Sequence, residues 1–185
     1  MSMKQNGFTL VEMLVVILVF TTISAIVIAI LTTTFQGNNK TNALNLIQQN
    51  GNYAMTQVVK SIRNASTLIA PYPCGTVSSP TATSSVSLRF PDGSTSTFSC
   101  NDSLGHTTLA SNGAALIDTS SVTVSSCSFT CGQATINGTV SPSSNPIIGV
   151  TFSLQSKNSN GFADLQASAS AIQFQTSVVL RNLLR

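Results

Sequence analysis

Residues 8–31 read FTLVEMLVVILVFTTISAIVIAIL, twenty-four residues with no Gly, no Pro and a single charge, Glu12. About 20 apolar residues suffice to cross a bilayer as a helix, so the segment is long enough to span. A secretory signal would have a shorter apolar core of roughly 7–15 residues before a small-residue cut site, although Thr22-Ile23-Ser24-Ala25 imitates such a site. A plain membrane anchor meets the length requirement but leaves Glu12 unexplained. An acid within such a run costs roughly 2.5–3.5 kcal/mol on insertion scales and calls for a partner. Glu12 is the only glutamate in the chain, and it stands in the chain's most hydrophobic stretch.

The preceding MSMKQNG is short and polar. Lys4 and the starting amine favour a cytoplasmic N-terminus, with the rest of the chain outside. A cut after Gly7 would supply the partner that Glu12 lacks. The new amine on Phe8 would be a positive charge four residues before Glu12, on the same helical face. It could pair with its own Glu12 or with Glu12 of a neighbour in a parallel bundle. Only the second arrangement also sets an axial offset between copies.

Gly7-Phe8-Thr9-Leu10-Val11-Glu12 resembles the prepilin cleavage motif of type IV pilins and type II secretion pseudopilins. The resemblance implies that a membrane prepilin peptidase cuts between Gly7 and Phe8 and methylates the Phe8 amine. It further implies that Glu12 directs insertion and register. The implied partners are the peptidase, other pilin or pseudopilin subunits, the inner-membrane assembly platform and the cytoplasmic membrane. The implied location is that membrane before assembly and an extracytoplasmic fibre or cell surface afterwards. Many major pilins carry a Pro about two-thirds along the apolar helix, and this chain has none between Phe8 and Leu31. Without it the helix should be straighter, since Pro is the usual cause of a kink.

After Leu31 apolar residues keep a helical spacing: Phe35, Ala43, Leu46, Ile47, Ala54, Val58, Ile62, Ala65 and Ile69. Gly37 and Gly51 weaken the pattern by about 1 kcal/mol each relative to Ala. Lys60 and Arg63 suit a helix C-terminus, and Asn64 to Pro71 reads as termination. A helix unbroken from Phe8 to Ala65 would be on the order of 85 Å long, at about 1.5 Å per residue. The alternative is a separate soluble helix after a linker at Thr32–Thr41.

Beyond Pro71 the period becomes 2. Val86, Leu88 and Phe90 alternate with polar residues, Pro91-Asp92-Gly93 is a turn, and Thr95–Cys100 is the returning strand. Asn112-Gly113 marks another turn. Ser121–Ser125, Ile147–Gln155 and a last strand with Ile172, Phe174, Val178 and Leu180 follow. Leu165, Ala167 and Ala169 run in the opposite phase, which predicts a break near Ala169–Ala171. The expected fold is α+β: a long N-terminal helix packed on a C-terminal antiparallel β-sheet head. It divides into a leader (1–7), a membrane and assembly helix (8–31), a helical stem (32–70) and a β-rich extracytoplasmic head (71–185). Val58-Val59-Lys60-Ser61-Ile62-Arg63-Asn64-Ala65 and Gln175-Thr176-Ser177-Val178-Val179-Leu180-Arg181-Asn182 are similar to stretches of PilW-type minor pilins and J-type pseudopilins.

Cys74, Cys100, Cys127 and Cys131 all fall in the expected head. An even count in an oxidising compartment suggests two disulfides with three possible connectivities. A tight loop at Gly132 would allow Cys127–Cys131, which leaves Cys74–Cys100, and this pairing is preferred. Only one of the spacings is short, which argues against a zinc site.

Catalysis has little to draw on. His106 is the only histidine and has no nucleophile motif nearby, so it reads as a loop or strand-edge residue. No phosphate-binding glycine motif or paired carboxylates appear, and five acids are too few for a strong calcium site. Asn101-Asp102-Ser103 and Asn137-Gly138-Thr139 match a common glycosylation pattern. The eight Lys and Arg residues are dispersed, with no basic run for nucleic acid. The reading is a non-enzymatic fibre subunit without catalytic residues, metal or cofactor, a minor pilin or pseudopilin. A major pilin and a membrane-anchored adhesin that never polymerises are the alternatives.

Overall fold

A computed structural model describes residues 9–136, 139–140, 145–157 and 171–181. One helix, α1, runs without interruption from Leu10 to Asn64, so no linker separates two helices at Thr32–Thr41. The twelve described strands are β1 (Thr67–Ala70), β2 (Gly75–Thr76), β3 (Thr81–Thr83), β4 (Ser85–Arg89), β5 (Thr95–Asn101), β6 (Thr107–Ser111), β7 (Ala114–Ala115), β8 (Val122–Gln133), β9 (Thr135–Ile136), β10 (Thr139–Val140), β11 (Ile147–Ser156) and β12 (Ile172–Val179). The chain forms two compact units, Met1–Thr41 and Asn42–Arg185.

In the second unit the described strands form two five-stranded sheets and a two-stranded β9–β10 pair, a division that the alternation of residues does not reveal. One sheet has the order β1-β4-β5-β6-β7; the other has the order β12-β11-β8-β2, with β3 also paired to β8. Pairing is antiparallel except for β2 beside β8. Ile47, Ala54, Val58, Ile62 and Ala65 of α1 are buried with Leu88, Phe98, Leu109, Phe129, Phe152 and other strand residues in one core. The architecture is thus the expected α+β one, a long N-terminal helix with antiparallel-rich sheets.

Gly51 in mid-helix has a packing reason. A Cβ placed there would overlap the ring of Phe174 on β12. That ring stacks on Phe152 of β11, with centroids 5.3 Å apart. Only a residue without a side chain lets the helix backbone approach the aromatic pair so closely.

The β4–β5 hairpin turns where Pro91-Asp92-Gly93 predicts, with Gly93 at φ 83° and Phe90 N–H donating to Ser94 O at 2.9 Å. Asn112 and Gly113, at φ 51° and 83°, form the β6–β7 turn.

Three expectations need correction. Asn64–Pro71 is not only a terminator: it contains β1, paired with β4 from Thr67↔Arg89. Ser121–Ser125 is only the start of β8, which continues to Gln133. Opposite β11 the register passes from Ser126↔Ser153 to Val124↔Leu154, which leaves Ser125 as an extra residue. This bulge moves the inward face from Val122 and Val124 to Phe129 and Cys131, so the strand lacks one continuous alternation.

The third correction is the cysteine pairing. The bridges are Cys74–Cys131 and Cys100–Cys127, with Cα separations of 5.1 and 5.5 Å. Because β8 runs on as a strand, no tight loop joins Cys127 to Cys131. Four residues of strand span about 13 Å, beyond the roughly 7 Å within which a disulfide closes. Each instead meets a cysteine from another segment. The predicted break at Ala169–Ala171 and the Asn137-Gly138-Thr139 pattern fall wholly or partly outside the described residues.

Candidate assembly site at the helix N-terminus

Thr9 opens α1 as its N-cap. Its Oγ1 accepts from Glu12 N–H at 3.3 Å, and its carbonyl accepts from Glu12 N–H at 3.1 Å and Met13 N–H at 3.3 Å. Glu12 is therefore the third helical residue, in a Thr-x-x-Glu spacing that suits a capping box. A carboxylate there lies in the positive end of the helix dipole, and Glu12 is exposed. Gly7 and Phe8 lie outside the described residues. The sequence signal for Thr9 as a cap is its three-residue spacing to Glu12.

Behind Glu12, from Met13 to Leu31, the helix carries no charge and only three hydroxyl side chains, Thr21, Thr22 and Ser24. Each Val, Leu, Ile, Met and Phe from Leu10 to Leu31 is at least 48% exposed, so the segment buries none of its apolar faces within its own unit. An 18-residue window of α1 has a mean hydropathy of 3.0, long and apolar enough to cross a membrane. The hydroxyls in this region bond to the helix itself: Thr21 Oγ1 to Leu18 O at 2.9 Å and Thr22 Oγ1 to Val19 O at 2.8 Å. Thr32, Thr33 and Thr34 bond likewise to the carbonyls of Ala29 or Ile30. No hydroxyl among these five depends on water, which a hydrocarbon surrounding requires.

Residues 2–32 match the family model of the prokaryotic N-terminal methylation motif. The chain carries a prepilin-type N-terminus. This motif is the N-terminal signature of prepilin-type chains and is consistent with the type IV pilin and pseudopilin resemblance of residues 7–12. The match ends at residue 32 and leaves the β-sheet unit uncovered. No curated protein and no solved structure gives a match.

The remaining candidates are engaged in structural roles. All four cysteines are in disulfides, so none is a thiolate available to a metal. His106 Nδ1 lies 3.0 Å from Asp102 Oδ2, and Asp102 Oδ1 accepts from Leu104 N–H and His106 N–H, both at 2.9 Å. The pair thus holds the β5–β6 loop in shape.

Proposed function

We propose that this pilin-type chain is a minor pilin or pseudopilin, cut between Gly7 and Phe8, methylated on Phe8 and assembled through residues 8–31. The observation that carries the reading is one exposed acid in the first turn of a helix whose large apolar side chains from Met13 to Leu31 are all exposed. Cleavage would leave an ammonium at the positive end of a helix dipole, an unfavourable place for a cation. Glu12 four residues on, or the same residue of a neighbouring subunit, offsets that charge. Pairing between subunits also sets their axial register, so one contact serves insertion and spacing. The missing helix proline and the resemblance of residues 58–65 and 175–182 to minor components favour that role over a principal shaft subunit. The peptidase, other subunits and the inner-membrane assembly platform are the partners this requires, with the membrane as the site before assembly.

Glu12→Ala tests the mechanism in cells that make the fibre. The variant should be cut and retained in the membrane, while its recovery in sheared fibres falls at least tenfold. Unchanged incorporation would contradict the pairing.

A further inference from the structure

Charge in the β-sheet unit is sparse and unevenly used. Its described acids are each engaged by their own loops: Asp92 by Ser94, Asp102 by Leu104 and His106, and Asp118 by Ser120 and Ser121. The bases are not distributed in the same way. Arg63 on the last turn of α1 and Arg181 just past β12 line one cleft of about 530 Å³ with Asn64, Ser177, Val178 and Val179. Both arginines are exposed. Among the described residues neither guanidinium has a carboxylate or a hydrogen-bond acceptor, the one ion pair there being His106 with Asp102. A second groove of about 390 Å³ shares Arg63 and Asn64 and continues along Met55, Thr56, Val59 and Lys60.

Two cations facing one cleft with no counter-ion among the described residues repel each other, and the carbonyls at a helix C-terminus can relieve only the nearer one. A ligand with paired anionic oxygens would relieve both, because a guanidinium presents two parallel N–H donors to such a group. Among the described residues no aromatic ring lines either hollow for a base to stack on. Met55 and Val59 offer an apolar seat beside the basic one. The geometry points to a recognition site for a polypeptide carboxylate, an acidic side chain or chain end flanked by an aliphatic residue, with Arg63 and Arg181 as its clamps. The site is independent of the N-terminal assembly contact, and its failure would leave that reading untouched.

The test uses the full chain in detergent micelles and fluorescence anisotropy with three probes: a labelled peptide ending in Leu-Glu, the same peptide ending in amidated Leu-Gln, and a short oligothymidine. The acidic peptide should bind and the amidated one should not. Arg63→Gln and Arg181→Gln should each weaken binding about tenfold, in line with the loss of a charge-assisted hydrogen bond. Arg63→Lys and Arg181→Lys should fall between wild type and the Gln variants, because charge survives without the fork. Thermal melts of all four should match wild type. Equal binding of the two peptides, unchanged binding by a folded Gln variant, or tighter binding of oligothymidine than of the acidic peptide would overturn the proposal.

Discussion

Glu12 is exposed in the first helical turn, three residues after a threonine that caps the same turn. Replacing Thr9 by Ala should cost about 1 kcal/mol of local helix stability, visible as faster amide exchange at Glu12 and Met13 with the β-sheet unit unaffected. A second residue tests the core. Thr108 is fully buried on β6, and its Oγ1 has no hydrogen-bond partner among the described residues. Thr108→Val keeps the shape and removes an unsatisfied hydroxyl, so the melting temperature should rise by the equivalent of roughly 1 kcal/mol. Asp118 carries a pH signature. The Ser120 hydroxyl, then the Ser120 N–H and the Ser121 hydroxyl, hold its carboxyl below the ordinary value of 3.8, outweighing a small upward push from desolvation. A depressed carboxyl stabilises the fold at neutral pH and loses that contribution as pH falls through its folded value. Its titration, followed by carboxyl NMR, should have a midpoint below 3.8.

Among the elements, α1 depends on a glycine that helix propensity alone would disfavour. Gly51→Ala gains about 1 kcal/mol of propensity but drives a methyl into the Phe174 ring, and overpacking of this kind costs typically 1–3 kcal/mol. Net destabilisation is expected by urea titration, and Phe174→Leu in the same chain should recover part of it. Helical periodicity made α1 legible from the sequence, and clean alternation made β11 legible through Ile148, Val150, Phe152 and Leu154. The short strands β1, β2, β3 and β7 offer too few residues for any period to register. Only the first part of β8 is legible, because the bulge at Ser125 reverses its inward face halfway along. The Thr9–Glu12 corner was half legible: charge drew attention to Glu12, while the cap became evident only once the helix start was placed. Arg63 and Arg181 are 118 positions apart, and nothing local in either segment brings them to one cleft.

For the whole molecule, Cys100 on β5 and Cys127 on β8 join the two sheets covalently, while Cys74–Cys131 fastens the segment before β2 to the same strand. Removing the inter-sheet bridge with Cys100→Ser and Cys127→Ser, a pair 27 residues apart, should cost about 3–4 kcal/mol on the loop-entropy estimate. Non-reducing peptide mapping should recover Cys74 with Cys131 and Cys100 with Cys127. Recovery of a Cys74–Cys100 peptide would refute that connectivity.

A fibre subunit and a membrane-anchored surface protein can share these sheets and disulfides and differ in processing. That distinction lies in the fate of the first seven residues. Mass spectrometry of the chain recovered from cells containing a prepilin peptidase is therefore the decisive measurement. The account predicts a mature protein that begins at Phe8 with a methylated amine. A chain that still begins at Met1 or Met3 would contradict it.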